Sequence, residues 1–263
     1  MKILYLSADL GIPVLGRKGA SVHVRSLVAA LGRAGHSVAV ATPSRHESPW
    51  EDPARLEASL LHLPPGAAGA AACRAVAAFD KALRTESSLP RELQRLLYNQ
   101  DLLRQLLRRF EGEPPDFIYE RASLYTVAGV CLARELEVPL LVELNAPLAL
   151  EQSTYRAPRL GELAAEAERW TLRGADAVLV VSAALRDHAA SLGVVPERIH
   201  VVPNGVDAAL FRPGPPDPEA RARWGLGDGP ILGFVGGLRP WHGVDALPRL
   251  LDQIGRASCR ERV

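Results

Sequence analysis

Residues 3–41, ILYLSADLGIPVLGRKGASVHVRSLVAALGRAGHSVAVA, hold one complete strand–loop–helix–strand unit. Ile3-Leu4-Tyr5-Leu6 is a short apolar run suited to a buried strand. The loop from Asp9 to Gly19 carries Gly11, Pro13, Gly16 and Gly19, the residues of tight or unusual backbone. Val24, Leu27, Val28 and Leu31 then recur at helical spacing, and Gly35 is placed to stop that helix. Val38-Ala39-Val40-Ala41 is the next strand. This order is a βαβ unit and predicts an α/β fold with a parallel sheet.

The same rhythm recurs downstream. Asp116 to Tyr119 reads as a strand, Leu124 to Leu136 as a helix and Val138 to Leu144 as a strand. Leu160, Leu163, Ala167 and Trp170 mark an amphipathic helix. Ala177 to Val181 is a continuous apolar run, as in a strand buried on both faces. Ser182 is a candidate N-cap for a helix that ends near Gly193, and Ile199 to Val202 is a further strand. Between these halves, Ala67 to Arg84 and the leucine-rich stretch from Leu93 to Phe110 read as two helices that cover the sheet.

Residues 203–229 are rich in Pro, Gly and Asp and form the expected linker, with a short helical piece around Ala220 to Trp224. A fresh βα unit follows, with Ile231 to Val235 as its strand and a helix from about Gly243. The expected division is therefore a first domain over 1–202, the linker, and the start of a second domain over 230–253.

The last ten residues, Ile254 to Val263, read IGRASCRERV and set Gly255 and a burst of arginines into the helical pattern. Read in frame, ATCGGAAGAGCGTCGTGTAGGGAAAGAGTG encodes the same ten residues, and that string resembles part of a short-read sequencing adapter. Native sequence is therefore expected to stop after Gln253, with 254–263 derived from adapter. The alternative is a genuine basic tail, which continuous coding sequence at the genomic locus would establish.

Composition narrows the function. A net charge of +1 gives no global field pointing to nucleic acid or an acidic partner. Cys73, Cys131 and Cys259 are too few and too scattered for a disulfide framework or a zinc site. The N-terminus lacks signal-peptide architecture, and no apolar run reaches membrane-spanning length. A cytoplasmic protein is expected, with peripheral contact at the inner face of a membrane left open.

The most specific passage is Ala175 to Phe211, ADAVLVVSAALRDHAASLGVVPERIHVVPNGVDAALF. It resembles the segment of family 4 glycosyltransferases, enzymes of the GT-B type, that crosses from the first Rossmann-like domain into the second. The pieces occur in order: the Ala-Asp-Ala-Val strand entry, the Val-Ser strand end, Pro-Glu-Arg-Ile, and Pro203-Asn204-Gly205-Val206-Asp207. Asn204 and Gly205 suit a tight interdomain turn tolerant of positive φ. Gly16 to Val24 looks like the family's loop before the first helix, where Gly16, Gly19 and Ala20 would let backbone approach a donor diphosphate. His23, one turn into that helix, is either an acceptor contact or a core histidine.

Tyr119-Glu120-Arg121 resembles a strand end lining the family's cleft, with a local ion pair of Glu120 with Arg121 or another neighbour as the alternative. Many relatives carry a functional histidine near the position of Asn145. Here Asn145 can share hydrogen bonds with a sugar hydroxyl but cannot titrate near neutrality, so no general-base role transfers to it. Val235 to Asp245 resembles the donor-diphosphate loop. Gly237 and His242 stand where many members have Arg and Lys, and Arg239 is the candidate replacement cation.

The resemblance implies transfer of a sugar from a nucleotide-sugar donor to a carbohydrate, lipid or small-molecule acceptor, with retention. It also implies no cofactor and no metal, and the sequence has no Asp-x-Asp motif. The chain as printed is expected to be inactive alone. Two alternatives remain open: a sugar-nucleotide epimerase of the same architecture, and a non-catalytic binding remnant of the fold.

Overall fold

The computed structural model describes residues 1–45, 55–215, 217–226, 231–238 and 242–260. The chain divides into two compact units, Met1–Pro203 and Asn204–Val263.

The first unit contains seven strands: β1 (Lys2–Ser7), β2 (Ser37–Thr42), β3 (Ser59–His62), β4 (Phe117–Arg121), β5 (Leu140–Leu144), β6 (Ala177–Val180) and β7 (Ile199–Val201). They form one sheet in the order β3-β2-β1-β4-β5-β6-β7, and every pair is parallel. Its helices are α1 (Gly19–Arg33), α2 (Ala67–Ala82), α3 (Leu89–Arg109), α4 (Ala128–Leu136), α5 (Leu148–Arg156), α6 (Gly161–Gly174) and α7 (Ala183–Ser191). This is the Rossmann-like architecture expected from the alternating pattern. The chain builds outward from β1 to β3, then returns to place β4 on the other side of β1. The gap between β1 and β4 is thus the topological switch point, where crevices open beyond the carboxyl ends of strands.

Side-chain alternation along each strand feeds two cores. Ile3 and Tyr5 face the α1 side, with Val24, Val28, Val38 and Val40, and Phe117 and Tyr119 pack against that cluster. Leu4, Leu6, Ile118, Val142 and Val178 face the opposite side, under Leu102 and Leu106 of α3, Leu132 of α4 and Leu172 of α6. Burial on both faces explains why these strands read as apolar runs rather than as alternating ones.

Ser182 caps α7 as expected, accepting from Leu185 N at 3.3 Å, and Gly35 and Gly193 adopt left-handed φ of 86° and 88° beyond their helices. Three elements differ from the sequence reading. The helix expected from Leu124 begins only at Ala128, because Tyr125 adopts φ 66°. Asn99 Oδ1 then accepts from Val127 N at 2.8 Å and Ala128 N at 3.0 Å, fixing the start of α4 from a distant helix. Strand β3 and helix α5 are additional elements. The leucine-rich α3 also does more than pack. Its Glu92, 1% exposed, accepts from Leu160 N at 2.7 Å and Arg159 N at 3.1 Å and so caps the start of α6.

The second unit contains α8 (Pro218–Arg223), a 3-10 turn at Val244–Ala246 and α9 (Leu247–Arg260). Asp217 caps α8 by accepting from Glu219 N at 2.9 Å. The strand expected at Ile231 to Val235 does not form, and no strand occurs among the described residues of this unit. A parallel strand exists only with a neighbour to receive its backbone hydrogen bonds, and here Val235 is fully exposed. Helix α9 continues through Gly255 to Arg260. Neither Asn204 nor Gly205 adopts a positive φ, so the tight turn expected there is not made in that form.

Candidate functional site

The carboxyl ends of β4 and β5 lie side by side, with Arg121 in register with Glu143. Because register is shared and side chains alternate, Tyr119, Arg121 and Glu143 project to the same face, the one covered by α1. Helix α1 lowers His23 onto the group from above, and the chain leaving β5 brings Asn145 beside it. Glu143, only 5% exposed in its side chain, is the centre. Its Oε1 lies 2.8 Å from His23 Nε2 and accepts from Arg121 Nη1 at 2.9 Å. Asn145 Nδ2 donates to the same oxygen, and Tyr119 Oη donates to Oε2 at 2.8 Å. The Tyr119 ring stacks on Tyr5 at 5.2 Å between centroids.

Burial alone would push the Glu143 carboxyl up. The contacts from His23 and Asn145 and the positive charges of His23 and Arg121 outweigh it and hold the carboxyl at about 2. Burial, followed by the negative charge of Glu143, pushes the Tyr119 phenol up. The group is therefore a fixed carboxylate, met by His23, Arg121 and Asn145 at Oε1 and by Tyr119 at Oε2. It can orient the neighbours that meet it.

Glu120 does not share this site. It sits one residue along from Tyr119 and Arg121 and therefore faces the opposite core. There it is fully buried, and neither carboxylate oxygen has a hydrogen-bond partner. Both the expected lining role and the local Glu120–Arg121 ion pair are corrected by this alternation, since Arg121 pairs with Glu143. Burial pushes the Glu120 carboxyl up to about 8. One oxygen occupies the space over Gly129, where a Cβ would lie 1.8 Å from it.

The loop before α1 is held by Arg25, whose Nη1 donates to Val14 O and Gly16 O, both at 2.7 Å. Lys18 is the N-cap and makes no side-chain cap, Gly19 and Ala20 open the helix, and nothing lies within 4 Å of the position of a Gly19 Cβ. The first-turn amides, with no acidic residue among them, can meet an anion. In the second unit His242 Nδ1 lies 2.6 Å from Gly237 O. Arg239 lies outside the described residues. Among the described residues no group of three or more His, Cys, Asp or Glu is placed to hold a metal ion, and no helix is long and apolar enough to cross a membrane.

Glu143 is the residue the sequence reading passed over. The available signal was a lone acid inside the apolar run Leu140 to Leu144, which needs partners if it is buried. A small pocket lined by Ala122, Ser123, Thr126, Leu148, Glu168 and Thr171 lies just beyond the end of β4.

A seven-stranded parallel sheet flanked by helices defines a protein of the Rossmann-like α/β class. Sequence comparison then fixes the family: residues 17–210 match Glycosyltransferase Family 4, and the chain belongs to it. A GDP-mannose-dependent alpha-mannosyltransferase of Mycobacterium tuberculosis is 31% identical over 147 residues, 56% of this chain and 38% of that protein. D-inositol 3-phosphate glycosyltransferase 1 of Catenulispora acidiphila is 34% identical over 152 residues, 54% of this chain and 35% of that protein. These matches span little more than a third of either relative. Among solved structures, Anabaena HepE in complex with UDP-glucose shares the fold with a TM-score of 0.59 at 18% identity, covering 96% of this chain and 57% of that one.

Proposed function

We propose that this protein transfers a glycosyl group from a nucleotide-sugar donor to a hydroxyl-bearing acceptor, with retention and without a metal ion. The first unit carries the acceptor side. The observation that carries this reading is the family match over residues 17–210, which includes α1 and the strand ends that build the Glu143 group. The names of the relatives and the UDP-glucose held by the HepE structure support a nucleotide-sugar donor.

His23, Arg121 and Asn145 are assigned to the acceptor side of the cleft, and Tyr119 to its floor. Gly16, Gly19 and Ala20 are assigned to the donor side, where the amides of α1 would face a departing diphosphate. Such charge stabilisation requires only fixed dipoles and cations. Gly237, Arg239 and His242 of the second unit are assigned to diphosphate binding, and Asn204 and Gly205 to the passage out of the first unit. Acceptor docking at a membrane surface is compatible with this assignment.

The test is a donor screen on the gene product expressed from its intact genomic locus. Release of nucleoside diphosphate with a uridine or guanosine donor, unaffected by a chelator, is the expected result. Proton NMR of the product should show retained anomeric configuration. Silence with every such donor would sink the reading. Arg239→Ala is expected to weaken nucleoside diphosphate binding about tenfold or more, the scale of a lost charge-assisted bond; unchanged affinity in calorimetry would remove Arg239 from the site.

A further inference from the structure

Of the five side chains gathered at the ends of β4 and β5, four have fixed charge near neutrality. Arg121 stays cationic, Asn145 does not ionise, Glu143 is held ionised and the Tyr119 phenol is held protonated. His23 is the imidazole among them, and its two ring nitrogens can each donate or accept. His23 meets Glu143 of β5, and the titratable and charged groups around that carboxylate are Tyr119 and Arg121 of β4, with Tyr5 of β1 stacked on Tyr119.

The two ring nitrogens of His23 are not equivalent. Nε2 is screened from solvent and lies 2.8 Å from Glu143 Oε1, without the alignment of a full hydrogen bond. An unprotonated Nε2 at that distance would set its lone pair against a carboxylate oxygen. The neutral ring therefore carries its proton on Nε2, and the lone pair belongs to Nδ1. The side chain is 26% exposed while Nε2 is buried, so the solvent-facing part of the residue lies away from Glu143. The carboxylate is itself fixed from three further directions by Arg121, Asn145 and Tyr119. The ring is thus oriented by a partner that cannot turn away, the arrangement that sets tautomer and direction in carboxylate–histidine pairs.

We propose that Glu143 is a positioning residue that holds His23 in its Nε2–H form, so that Nδ1 accepts the hydrogen of an acceptor hydroxyl on a sugar or polyol. This rests on the reading of these strand ends as an acceptor site. It gives that site a direction: the hydroxyl to be glycosylated points its hydrogen at α1 and its oxygen lone pairs into the cleft.

Long-range proton–nitrogen NMR of the imidazoles tests the proposal, with the His23 signals assigned through His23→Gln. At a pH where the rings are neutral, the wild-type protein should show His23 in the Nε2–H form alone. Glu143→Gln should populate both tautomers, as an unrestrained imidazole does, with backbone amide spectra reporting that the fold is kept. If Glu143→Gln unfolds, Glu143→Asp keeps the charge, shortens the reach and carries the same comparison. Titration with methyl α-glucoside and with myo-inositol should move the Nδ1 resonance and leave Nε2 in place. A mixed or Nδ1–H wild-type ring, an unchanged tautomer in the Glu143 variant, or an Nδ1 resonance that neither probe moves would overturn the proposal. None of these readings needs turnover, so absent glycosyl transfer with a locked tautomer refutes the reaction and leaves the dyad standing, while a failed tautomer test leaves the reaction untouched.

Discussion

Glu120 and Glu143 occupy the ends of adjacent strands and are almost equally buried, yet their environments are opposites. Glu143 faces α1 and meets His23, Arg121, Asn145 and Tyr119, which hold its carboxyl at about 2. Glu120 faces α4, meets no hydrogen-bond partner, and is pushed up to about 8 by burial. Burial is common to both, so burial does not decide the charge state. The partners do, and the partners follow from which face of the sheet the strand register assigns to each residue. One face at these strand ends is a charged group met by four side chains, and the other is an apolar core in which burial favours the protonated acid.

The comparison breaks most visibly if the engaged carboxylate is removed. Glu143→Ala leaves the Arg121 guanidinium, 14% exposed, without its anion. Loss of one member of a buried pair costs about 3–5 kcal/mol, so the denaturant midpoint should fall steeply. A loss below about 1 kcal/mol would mean that Arg121 finds water, and that the group is more open than its burial indicates.

This contrast also separates what the sequence disclosed from what it withheld. The sheet was legible because strands buried on both faces print as apolar runs, and the cap at Ser182 because its mechanism is local. The opposite facing of Glu120 was legible too, since a period of two separates it from Tyr119 and Arg121 on either side. The Glu143 group was not, because His23 reaches it from a helix laid across the sheet by the topology. The start of α4 was hidden for the same reason, being set by Asn99 from another helix. Ile231 to Val235 shows the converse: an apolar run has strand propensity on its own but becomes a strand only beside another.

The pH dependence of stability sharpens the contrast, because the two carboxylates act with opposite sign. Glu120 rises from 4.5 to about 8 on folding, so between those values the folded chain keeps a proton that the unfolded chain releases. Stability should therefore decline as pH rises through that window, by a few kcal/mol in all, and level off above it. Glu143 falls from 4.5 to about 2, so its contribution is complete above 4.5 and is lost as pH falls through 2. Glu120→Gln should remove the decline on the neutral side and leave the acid limb in place. Urea melts of both proteins from pH 2 to 9 measure the difference, and parallel curves would show that Glu120 ionises freely in the folded state.

A smaller effect probes the fit on the α4 side. A Cβ at position 129 would meet Glu120 Oε2 at 1.8 Å and Leu6 Cδ2 at 3.3 Å. Glu120 has no exposed surface through which to withdraw, so Gly129→Ala should cost about 1–3 kcal/mol by overpacking. Shortening the acid should relieve the clash, so Glu120→Ala with Gly129→Ala should recover most of that loss. An additive double-mutant cycle would place the strain elsewhere.

The smallest expected change lies on the α1 side. Asn145 is one of several groups on Glu143 Oε1, and its removal leaves Arg121 and His23 in place. Asn145→Ala should therefore cost only about 1 kcal/mol, the net worth of one hydrogen bond whose acceptor keeps other partners. Its clearer signature is electrostatic. The Asn145 bond is among the largest causes holding Glu143 down, so losing it should raise the folded carboxyl and move the acid limb of the stability curve to higher pH. An acid limb that stays where it was would show that His23 and Arg121 alone set the charge of Glu143. Asn145 would then be left with its side chain free to serve the cleft rather than the group beneath it.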